Sequence, residues 1–508
     1  MFTPSSYQKA IFDWFANPSG PIVVDAKAGS GKTTTLVRGM NEMTIPGKRL
    51  FAAFNKSIVD KLSADLPPTV QCQTIHSFGL ATLSSGYPSI KRWDMDNGKI
   101  KYRQLARDIK IPQEYGDRNA IQDLILNVVN YAQLTLTNTD PESIAKMANR
   151  FGLEIPVEVD PDWLSNQVEE MIDEGIELGK KGLISFSDML FLPAKLELPP
   201  PKYSLVAVDE AQDLSKVQMH LLTNALAVGG KFIAVGDPRQ AIYGFAGAEA
   251  DSFYQLQRHF KANVMPLNFC YRCPELVIKE AQRIVPDIEC PEGTRAGIVK
   301  TITDEEFKAS LRPGDMVLCR LTAPLVKLCF ELIKRRIPAK VKGKDIGSSI
   351  ANTARQIMKR CTDMSRFPAF MYGWQESQLR VLRDKLGSED QQDGVVNKVA
   401  CLEICYVMFN PRTLDSFCRD IKDLFSDDKS PITLCTVHRA KGLENPRVFI
   451  IHPDKLPLRR KNQTPDQISQ EMNLKYVAIT RAQEELYFVQ PGVEDQQQAL
   501  FSGTISGT

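Results

Sequence analysis

A run of small residues followed by lysine and threonine carries the clearest chemistry in the chain. Residues 26–35 are Ala-Lys-Ala-Gly-Ser-Gly-Lys-Thr-Thr-Thr. Small residues permit a tight loop whose backbone N–H groups surround an anion, and a helix starting at Lys32 adds the positive end of its dipole. Lys32 can reach the β- and γ-phosphates of a nucleotide, and the Thr33 hydroxyl can ligate Mg²⁺. The predicted phosphate cradle consists of Ala28, Gly29, Ser30, Gly31, Lys32, Thr33 and Thr34. The alternative is a loop that only joins a strand to a helix, and the usual pattern begins with Gly, where this chain has Ala26.

A pair of acids supplies the second part of this chemistry. Asp209 and Glu210 directly follow residues 204–208, Ser-Leu-Val-Ala-Val, whose four apolar residues predict a buried strand. A phosphate-loop enzyme needs one carboxylate in the Mg²⁺ shell and another that polarises water. We therefore assign Asp209 to Mg²⁺ and Glu210 to the general base. The alternative is an acidic helix N-cap, which the helix dipole also favours.

Gln240 and Arg272 are candidates for contacts with the phosphate that is transferred. Gln240 follows the predicted strand 231–235, Lys-Phe-Ile-Ala-Val, and an amide at such a position can sense a γ-phosphate or an attacking water. Arg272 can stabilise charge on a transferring phosphoryl group. It lies between Cys270 and Cys273, but a zinc site would need a second cysteine pair at a suitable spacing. We therefore interpret Arg272, and not this CxxC motif, as the functional feature of the segment.

Polar and aromatic side chains collect where two further predicted strands end. These strands are predicted over 49–54 and 69–78, and ligands bind at the ends of strands in α/β sheets. Side chains there can contact a phosphodiester backbone or stack on a base. The candidates are Asn55, Lys56, Thr74, His76, Ser77 and Phe78, with Tyr243 and Phe245 as further aromatic candidates. The alternatives are a structural role for the histidine and core positions for the two later aromatics.

Gln8 lies on a predicted amphipathic helix, residues 5–18, that precedes the phosphate loop. A side-chain amide can recognise adenine because that base offers one donor and one acceptor. Taken alone, Gln8 is interpreted as a surface residue, so its assignment to a nucleotide depends on the wider pattern of motifs.

The elements that must position these residues follow an α/β pattern. Short apolar runs alternate with amphipathic segments, which predicts parallel strands joined by helices. The predicted strands are 22–24, 49–54, 69–78, 204–208, 231–235, 316–319, 432–437, 448–451 and 486–489, and later helices are predicted over 323–335 and 471–482. Two stretches, 81–180 and 346–430, are rich in helix formers and charge instead, and they predict helical insertions.

Composition bounds the class of protein but says little about partners. The 508 residues are enough for roughly three to four domain-sized units. Lys and Arg total 63 against 61 Asp and Glu, so any nucleic-acid surface must be locally basic. The 11 scattered cysteines predict reduced thiols in a cytosol-like compartment. The sequence has no leader pattern and no run of ~18 apolar residues, so we expect neither secretion nor a membrane span.

Seven segments, in this order, resemble the motifs of superfamily 1 (A group) DNA helicases of the UvrD/Rep/PcrA type. They are residues 28–33, 74–77, 208–213, 236–240, 271–272, 436–444 and 476–482. Residues 55–57 and 236–238 also resemble the F-box-type branch of that family. The resemblance extends over most of the chain, and an ordered set of this kind is highly specific.

The resemblance implies an α/β fold of two tandem RecA-like P-loop NTPase domains with parallel sheets, each interrupted by a mainly helical insertion. The implied boundaries are 1–80 with 181–265 for domain 1A, 81–180 for insertion 1B, 266–345 with 431–508 for domain 2A, and 346–430 for a short insertion 2B. It also implies ATP and Mg²⁺ between the two domains, single-stranded DNA crossing both, action at duplex junctions, and 3′-to-5′ movement. Such a protein would work in a bacterial or phage-infected cytoplasm or in a eukaryotic nucleus, with replication or recombination proteins as candidate partners.

The resemblance also implies roles for individual residues. Lys32 and Thr33 would bind phosphate and Mg²⁺, while Asp209 and Glu210 would handle metal and water. The γ-phosphate contacts would be Gln240, Arg272 and Arg481, the adenine contacts Gln8 and Tyr271, and the sugar contact Glu444. The DNA track would contain Thr74, His76, Tyr243, Phe245, Thr436 and His438, beside the candidates Asn55 and Lys56.

One departure from the family pattern concerns residues 245–248, which are Phe-Ala-Gly-Ala where members often have an aromatic residue followed by Arg-Gly-Ala. The missing arginine leaves the coupling between ATP and DNA open. Two alternatives to a helicase therefore remain: a DNA-stimulated ATPase that translocates or remodels protein–DNA complexes or recombination intermediates without processive unwinding, and an ATP-binding scaffold without turnover. The residue types alone do not distinguish DNA from RNA as the track.

Overall fold

The computed structural model describes residues 3–43, 45–53, 55–115, 118–151, 153, 155–242, 251–359, 363–384, 389–425, 430–460, 463 and 465–490. The chain divides into two compact units, Met1–Asn268 and Phe269–Thr508. Each unit contains a six-stranded sheet in which the strands pair in parallel. The predicted α/β class with two parallel sheets is therefore confirmed.

The sheet of the first unit places the ends of its strands at one edge. Its strands are β1 (Ile22–Ala26), β2 (Arg49–Ala53), β3 (Val70–Thr74), β4 (Tyr203–Val208), β5 (Leu226–Gly236) and β6 (Asn263–Leu267), in the order β3-β2-β4-β5-β1-β6. The register aligns Asp25 with Gly236 and Ala53 with Thr74. Because the strands are parallel, the segments that follow them leave from the same edge, where α/β sheets bind ligands.

Both faces of this sheet are covered by helices. The helices of the unit are α1 (Ser6–Ala16), α2 (Lys32–Glu42), α3 (Lys56–Leu62), α4 (Ile75–Gly86), α5 (Met95–Gly98), α6 (Lys101–Asp108), α7 (Arg118–Thr135), α8 (Pro141–Phe151), α9 (Pro161–Lys180), α10 (Asp188–Lys195), α11 (Lys216–Asn224) and α12 (Ser252–Phe260). Side chains alternate between the faces along each strand. Ile22 and Val24 pack with the apolar side of α1, whereas Val23 packs on the opposite layer.

The chain leaves the sheet after β3 and returns to it with β4, and the intervening helices α4–α10 contribute to a third apolar cluster. Ile125, Val128, Val168 and Ile172, from α7 and α9, lie in its centre. Most of this cluster lies within the predicted helical stretch 81–180, and Ile184, Met189, Phe191 and Leu192 extend it beyond that stretch. The predicted boundary at 80/81 falls inside α4, and α9 ends at Lys180.

The second unit repeats the parallel arrangement. Its strands are β7 (Ile298–Ile302), β8 (Met316–Cys319), β9 (Ala339–Val341), β10 (Ile432–Thr436), β11 (Asn445–Ile451) and β12 (Ala482–Val489), in the order β7-β12-β11-β8-β10-β9. Its helices are α13 (Glu275–Gln282), α14 (Asp304–Ser310), α15 (Ala323–Lys334), α16 (Lys344–Ile357), α17 (Phe367–Asp384), α18 (Glu389–Phe409), α19 (Leu414–Leu424), α20 (Val437–Ala440) and α21 (Pro465–Ile479). Helices α16–α19 lie between β9 and β10, in the second stretch predicted to be helical. None of the helices in the described part of the chain is long and apolar enough to cross a membrane.

Two predicted elements are wrong in their extent. The strand predicted over 69–78 ends at Thr74, because the Thr74 hydroxyl accepts a hydrogen bond from the Ser77 backbone N–H and caps α4. His76 and Phe78 therefore lie on a helix. The helix predicted over 471–482 ends at Ile479, and Ala482 already belongs to β12. Strands β6, β7 and β9 were not predicted; β6 contains Pro266 and lies at an edge, where proline is tolerated.

Candidate nucleotide and nucleic-acid sites

The phosphate loop connects β1 to α2 in the conformation that its small residues permit. Gly29 and Gly31 have φ of 68° and 80°, a left-handed backbone that favours glycine. The Ser30 hydroxyl is buried and has no hydrogen-bond partner within the described part of the chain. An orphaned polar atom of this kind needs an explanation, and a bound phosphate would supply a partner. Lys32 and Thr33 occupy the first turn of α2, and the exposed Thr34 follows them.

Thr33 and Asp209 form the kind of oxygen pair that Mg²⁺ prefers. The Thr33 hydroxyl donates to Asp209 Oδ2 at 2.6 Å, and Asp209 is buried at the end of β4. Burial raises the pKa of Asp209 to about 6, and the negative charge of Glu210 adds to the effect. A carboxylate that is costly to ionise without a cation beside it is a reasonable metal ligand. The residues present therefore fit Mg²⁺.

Glu210 sits in a strained backbone conformation beside this pair. Its φ of 53° is left-handed, which is uncommon for a residue with a side chain. Its backbone N–H donates to Asp209 Oδ1 at 2.9 Å, and its Oε2 accepts from Gln212 Nε2 at 2.6 Å. The carboxylate is only partly buried, so it combines a fixed position with access to solvent.

Gln240 lies at the end of β5, on the same sheet edge. Its Nε2 donates to Asp237 Oδ2 at 2.7 Å. Asp237 is buried, and burial raises the pKa of its carboxyl. The positive charge of Lys32 lowers the pKa of both carboxyls, Asp209 and Asp237, and so partly offsets the effect of burial. The first unit thus brings together Lys32, Thr33, Asp209, Glu210 and Gln240.

Gln8 is buried and does not lie on the surface, so the interpretation made for the residue alone is wrong. The side chain is 2% exposed, and its Nε2 donates to Thr35 Oγ1 at 3.1 Å. Its Oε1 accepts from the Ser5 backbone N–H in a capping box that starts α1. The amide is therefore held directly against the helix that follows the phosphate loop. The signal in the sequence was the Ser5–Gln8 capping spacing.

The second unit brings together three of the four residues assigned there to the nucleotide. Arg272 Nε donates to Glu444 Oε2 at 2.6 Å, and Gln483 Nε2 donates to Glu444 Oε1 at 3.0 Å. Arg481 is 1% exposed, and its Nη1 donates to the carbonyl of Leu443, the neighbour of Glu444. Tyr271, next to Arg272, is exposed and makes none of these contacts.

The nucleic-acid candidates of the first unit lie at the ends of β2 and β3. Asn55 caps α3 by accepting from the Ile58 backbone N–H, and the exposed Lys56 follows it. His76 stacks on Phe186, with ring centroids 3.9 Å apart and planes inclined by 18°. Burial lowers the pKa of His76 to about 4, so the imidazole is neutral near pH 7. Phe186 is 60% exposed, which leaves part of an aromatic surface open beside the ends of the strands.

The candidates of the second unit lie at the end of β10. Thr436 is buried and immediately precedes α20, whose second residue is His438. Burial lowers the pKa of His438 to about 3, and the charge of Arg320 contributes. Arg320 is itself held by the Glu471 carboxylate at 2.6 Å. The remaining candidates, Tyr243 and Phe245, lie outside the described residues.

Three residues of these sites were missed by reasoning from the sequence. Asp237 and Gln212 lie inside recognised motifs, but nothing in their spacing revealed that they contact Gln240 and Glu210. Phe186 lies 110 residues from His76 in sequence, so no local pattern predicted the stack.

Comparisons with known proteins agree with this geometry. The model of the UvrD/REP helicase N-terminal domain matches residues 8–261, and the model of the UvrD-like helicase C-terminal domain matches residues 411–490. These ranges include the phosphate loop, both acids, Gln240, and the segment with Thr436, Glu444 and Arg481.

Individual relatives are distant in sequence. F-box DNA helicase protein 1 of Schizosaccharomyces pombe is 24% identical over 95% of this chain and 57% of its own length. The ATP-dependent DNA helicase PcrA of Staphylococcus aureus is 23% identical over 52% of this chain and 38% of its own length. PcrA of Leuconostoc citreum is 21% identical over 92% of this chain and 79% of its own length. The chain thus spans little more than half of the first relative and less than half of the second.

Proposed function

The chain belongs to the UvrD/REP helicase family, and from that premise we propose that it is an ATP-dependent DNA helicase or translocase that moves 3′-to-5′ on single-stranded DNA. The observation that carries the proposal is the contact of Thr33 with Asp209 at 2.6 Å, beside Lys32 and Glu210. Hydroxyl, carboxylates and lysine are the groups that phosphoryl transfer from a nucleotide requires.

The residues of the first unit divide the work of hydrolysis. Thr33 and Asp209 would hold Mg²⁺, which neutralises charge on the β- and γ-phosphate oxygens. Lys32 contacts the same phosphates, and Glu210 accepts a proton from the attacking water. Gln240 orients that water or contacts the γ-phosphate. Gln8 reads the adenine edge through its amide.

In this proposal two arginines of the second unit act on the charge that develops at the γ-phosphate. Arg272 and Arg481 carry permanent positive charge and several donors each, which suits a planar group of phosphate oxygens. Glu444 contacts the sugar, and the exposed ring of Tyr271 stacks on adenine. The pairing of Arg272 with Glu444 supports this assignment because it gathers two of these groups at one place.

The nucleic-acid track contains polar groups at strand ends and an aromatic platform. Thr74 and Thr436 contact backbone phosphates, and bases stack beside His76 and Phe186. Stacking tolerates any base, and phosphate contacts weaken as salt rises. We therefore expect single-stranded DNA to raise the rate of ATP hydrolysis with little sequence preference.

Substitution of the base tests the core of the proposal. Glu210→Gln keeps the size of the side chain but cannot accept a proton, so hydrolysis should fall on the order of 10²–10⁴-fold while ATP still binds. Glu292→Gln, an exposed acid of the second unit, is the matched control and should leave the rate unchanged. ATPase rate and binding of a fluorescent ATP analogue are measured for both variants. A Glu210→Gln variant that hydrolyses ATP as fast as the wild type would contradict the assignment.

A DNA-stimulated ATPase without processive unwinding is the second candidate, and the alanine at 246 favours it. Family members often have arginine at this position, so this chain lacks one residue expected to link ATP to DNA. Strand displacement on duplexes with a 3′ or a 5′ single-stranded tail separates the candidates. A helicase should open only the substrate with a 3′ tail, whereas a translocase should hydrolyse ATP on both and open neither.

A further inference from the structure

Two buried polar residues that the proposed reaction does not use lie between Glu210 and Gln240. Gln212 and Asp237 are both almost completely excluded from solvent. Burying an amide or a carboxylate is costly unless hydrogen bonds compensate. The hydrogen-bond partners of Gln212 and Asp237 therefore indicate the role of these two residues.

Gln212 bridges the general base to the end of β5. Its Nε2 donates to Glu210 Oε2 at 2.6 Å, and its Oε1 accepts from the Asp237 backbone N–H at 3.0 Å. A carboxylate only accepts and a backbone N–H only donates, so these partners fix which end of the amide faces each of them. A second contact, from Nε2 to Asp213 Oδ2 at 3.3 Å, agrees with the same orientation.

Asp237 bridges in turn to Gln240. Its Oδ2 accepts from Gln240 Nε2 at 2.7 Å, and its Oδ1 accepts from the Arg239 backbone N–H at 3.0 Å. The orientation of the Gln240 amide is fixed by the same reasoning, because its NH₂ group must face the carboxylate. Three successive hydrogen bonds thus connect the base Glu210, through Gln212 and Asp237, to the Gln240 amide assigned to the attacking water.

The backbone is shaped to allow this series of contacts. A side chain at Gly236 would place its Cβ 2.5 Å from Gln212 Oε1, which is closer than atoms approach without a shift. Glu210 has a left-handed backbone, and such strain persists only where surrounding contacts hold it. The bond from Gln212 is one of those contacts.

We propose that Gln212 and Asp237 are positioning residues that hold Glu210 and Gln240 in one shared arrangement, so that the base and the amide act on the same water. The inference rests on the proposed function and adds two residues to it. In this proposal neither residue contacts the nucleotide itself. Their effect passes through Glu210 and Gln240, and it should appear in the rate of hydrolysis and not in the affinity for ATP.

Gln212→Met tests the first bridge, since methionine keeps the length of the side chain and removes both amide contacts. We expect kcat for ATP hydrolysis to fall roughly 10–100-fold, as for other partners that orient a catalytic group, with KM for ATP changed by less than about 3-fold. Gln218→Met is the matched control, because Gln218 accepts from the Ser215 backbone N–H in the capping box of α11. The control should keep the wild-type kcat.

A double-substitution cycle separates positioning from a merely structural role. Gln212→Met is combined with Glu210→Gln, and single-turnover hydrolysis is measured for the four proteins. If Gln212 acts through Glu210, the double variant should be no slower than Glu210→Gln alone. Losses that multiply would overturn the proposal. A wild-type rate in Glu210→Gln alone would show instead that the base assignment fails, which is a different and separately visible result.

Asp237→Asn tests the second bridge and replaces Gln212→Met if that variant does not fold, as judged by thermal unfolding. Asparagine has one carbonyl oxygen for the two donors, Arg239 N–H and Gln240 Nε2, so one of them must face an NH₂ group. We expect the same fall in kcat with KM nearly unchanged. A folded Asp237→Asn protein with the wild-type kcat would overturn the assignment of Asp237.

Discussion

Gly79 permits the contact between helices α4 and α10 that brings His76 beside Phe186. A Cβ at this position would lie 2.1 Å from the Met189 carbonyl oxygen, whereas ordinary contacts begin at 3.4 Å. The obstacle is backbone, which cannot rotate away as a side chain can. Gly79→Ala must therefore separate the two helices by about 1.3 Å.

The expected cost follows from two opposing effects. Overpacking costs typically 1–3 kcal/mol, and a shift of backbone lies at the upper end of that range. Alanine in place of glycine stabilises the helix itself by about 1 kcal/mol, because alanine has the higher helix propensity. The net loss should be about 2 kcal/mol, or roughly a 30-fold larger opening constant for this part of the first unit.

Hydrogen–deuterium exchange measures that opening locally. Peptides from α4 and α10 should exchange roughly 30-fold faster in Gly79→Ala than in the wild type, while peptides of the second unit serve as the internal reference. Gly373→Ala is the matched control: Gly373 is an exposed position of α17, and an added Cβ there would have no atom of the described residues within 4 Å. The control should stabilise its helix slightly. Unchanged exchange in the α4 and α10 peptides of Gly79→Ala would refute the reasoning.

Three further predictions follow from buried or stacked side chains of the first unit. Lys101→Met leaves Asp188, its fully buried partner, without a counter-charge, and should cost about 3–5 kcal/mol in chemical denaturation. The pKa of His76 is lowered to about 4 in the folded protein. The unfolded protein therefore binds a proton at higher pH, and the free energy of unfolding should fall as pH drops from about 6.5 to about 4. His76→Asn should flatten this part of a plot of unfolding free energy against pH. Phe186→Ala should weaken binding of single-stranded DNA by ~1–3 kcal/mol, measured by fluorescence anisotropy, with the ATPase rate without DNA unchanged.

The parts of the site that could be predicted from sequence are those whose physics is local. Gly29 and Gly31 have positive φ because a tight loop must turn there, and the lysine and threonine that follow start a helix. Asp209 and Glu210 follow β4, in which Leu205–Val208 are apolar and lie alternately in the two layers on either side of the sheet. In each case the residues within about ten positions contain the cause.

The parts that could not be predicted depend on distant partners. Gln8 is buried because Thr35, 27 residues away, accepts from its amide. Lys101 and Asp188 pair across 87 positions, and burial of both charges is favourable only because each meets the other. The strand predicted over 69–78 was too long because of a local ambiguity at Thr74. Threonine has both a high β propensity and a strong preference for capping helices. In α4 the cap prevailed.

The two arginines assigned to the γ-phosphate are held in different ways, and this difference bears on which of them the fold can release. Arg272 is paired with Glu444, and the two side chains are 21% and 46% exposed, so the pair is partly open to solvent, where ion pairs contribute little. The Nη1 of Arg272 also donates to the Thr480 carbonyl at 3.4 Å. Arg481 is buried, and its guanidinium donates to the carbonyls of Val477 and Leu443. Redirecting it would break both of these hydrogen bonds and move a guanidinium that is almost completely excluded from solvent. In the proposed site Arg272 is therefore the arginine that a nucleotide would attract more readily, while Arg481 also holds the turn that carries Glu444. Recognition of the motif alone gives both residues the same role, and only their surroundings separate them.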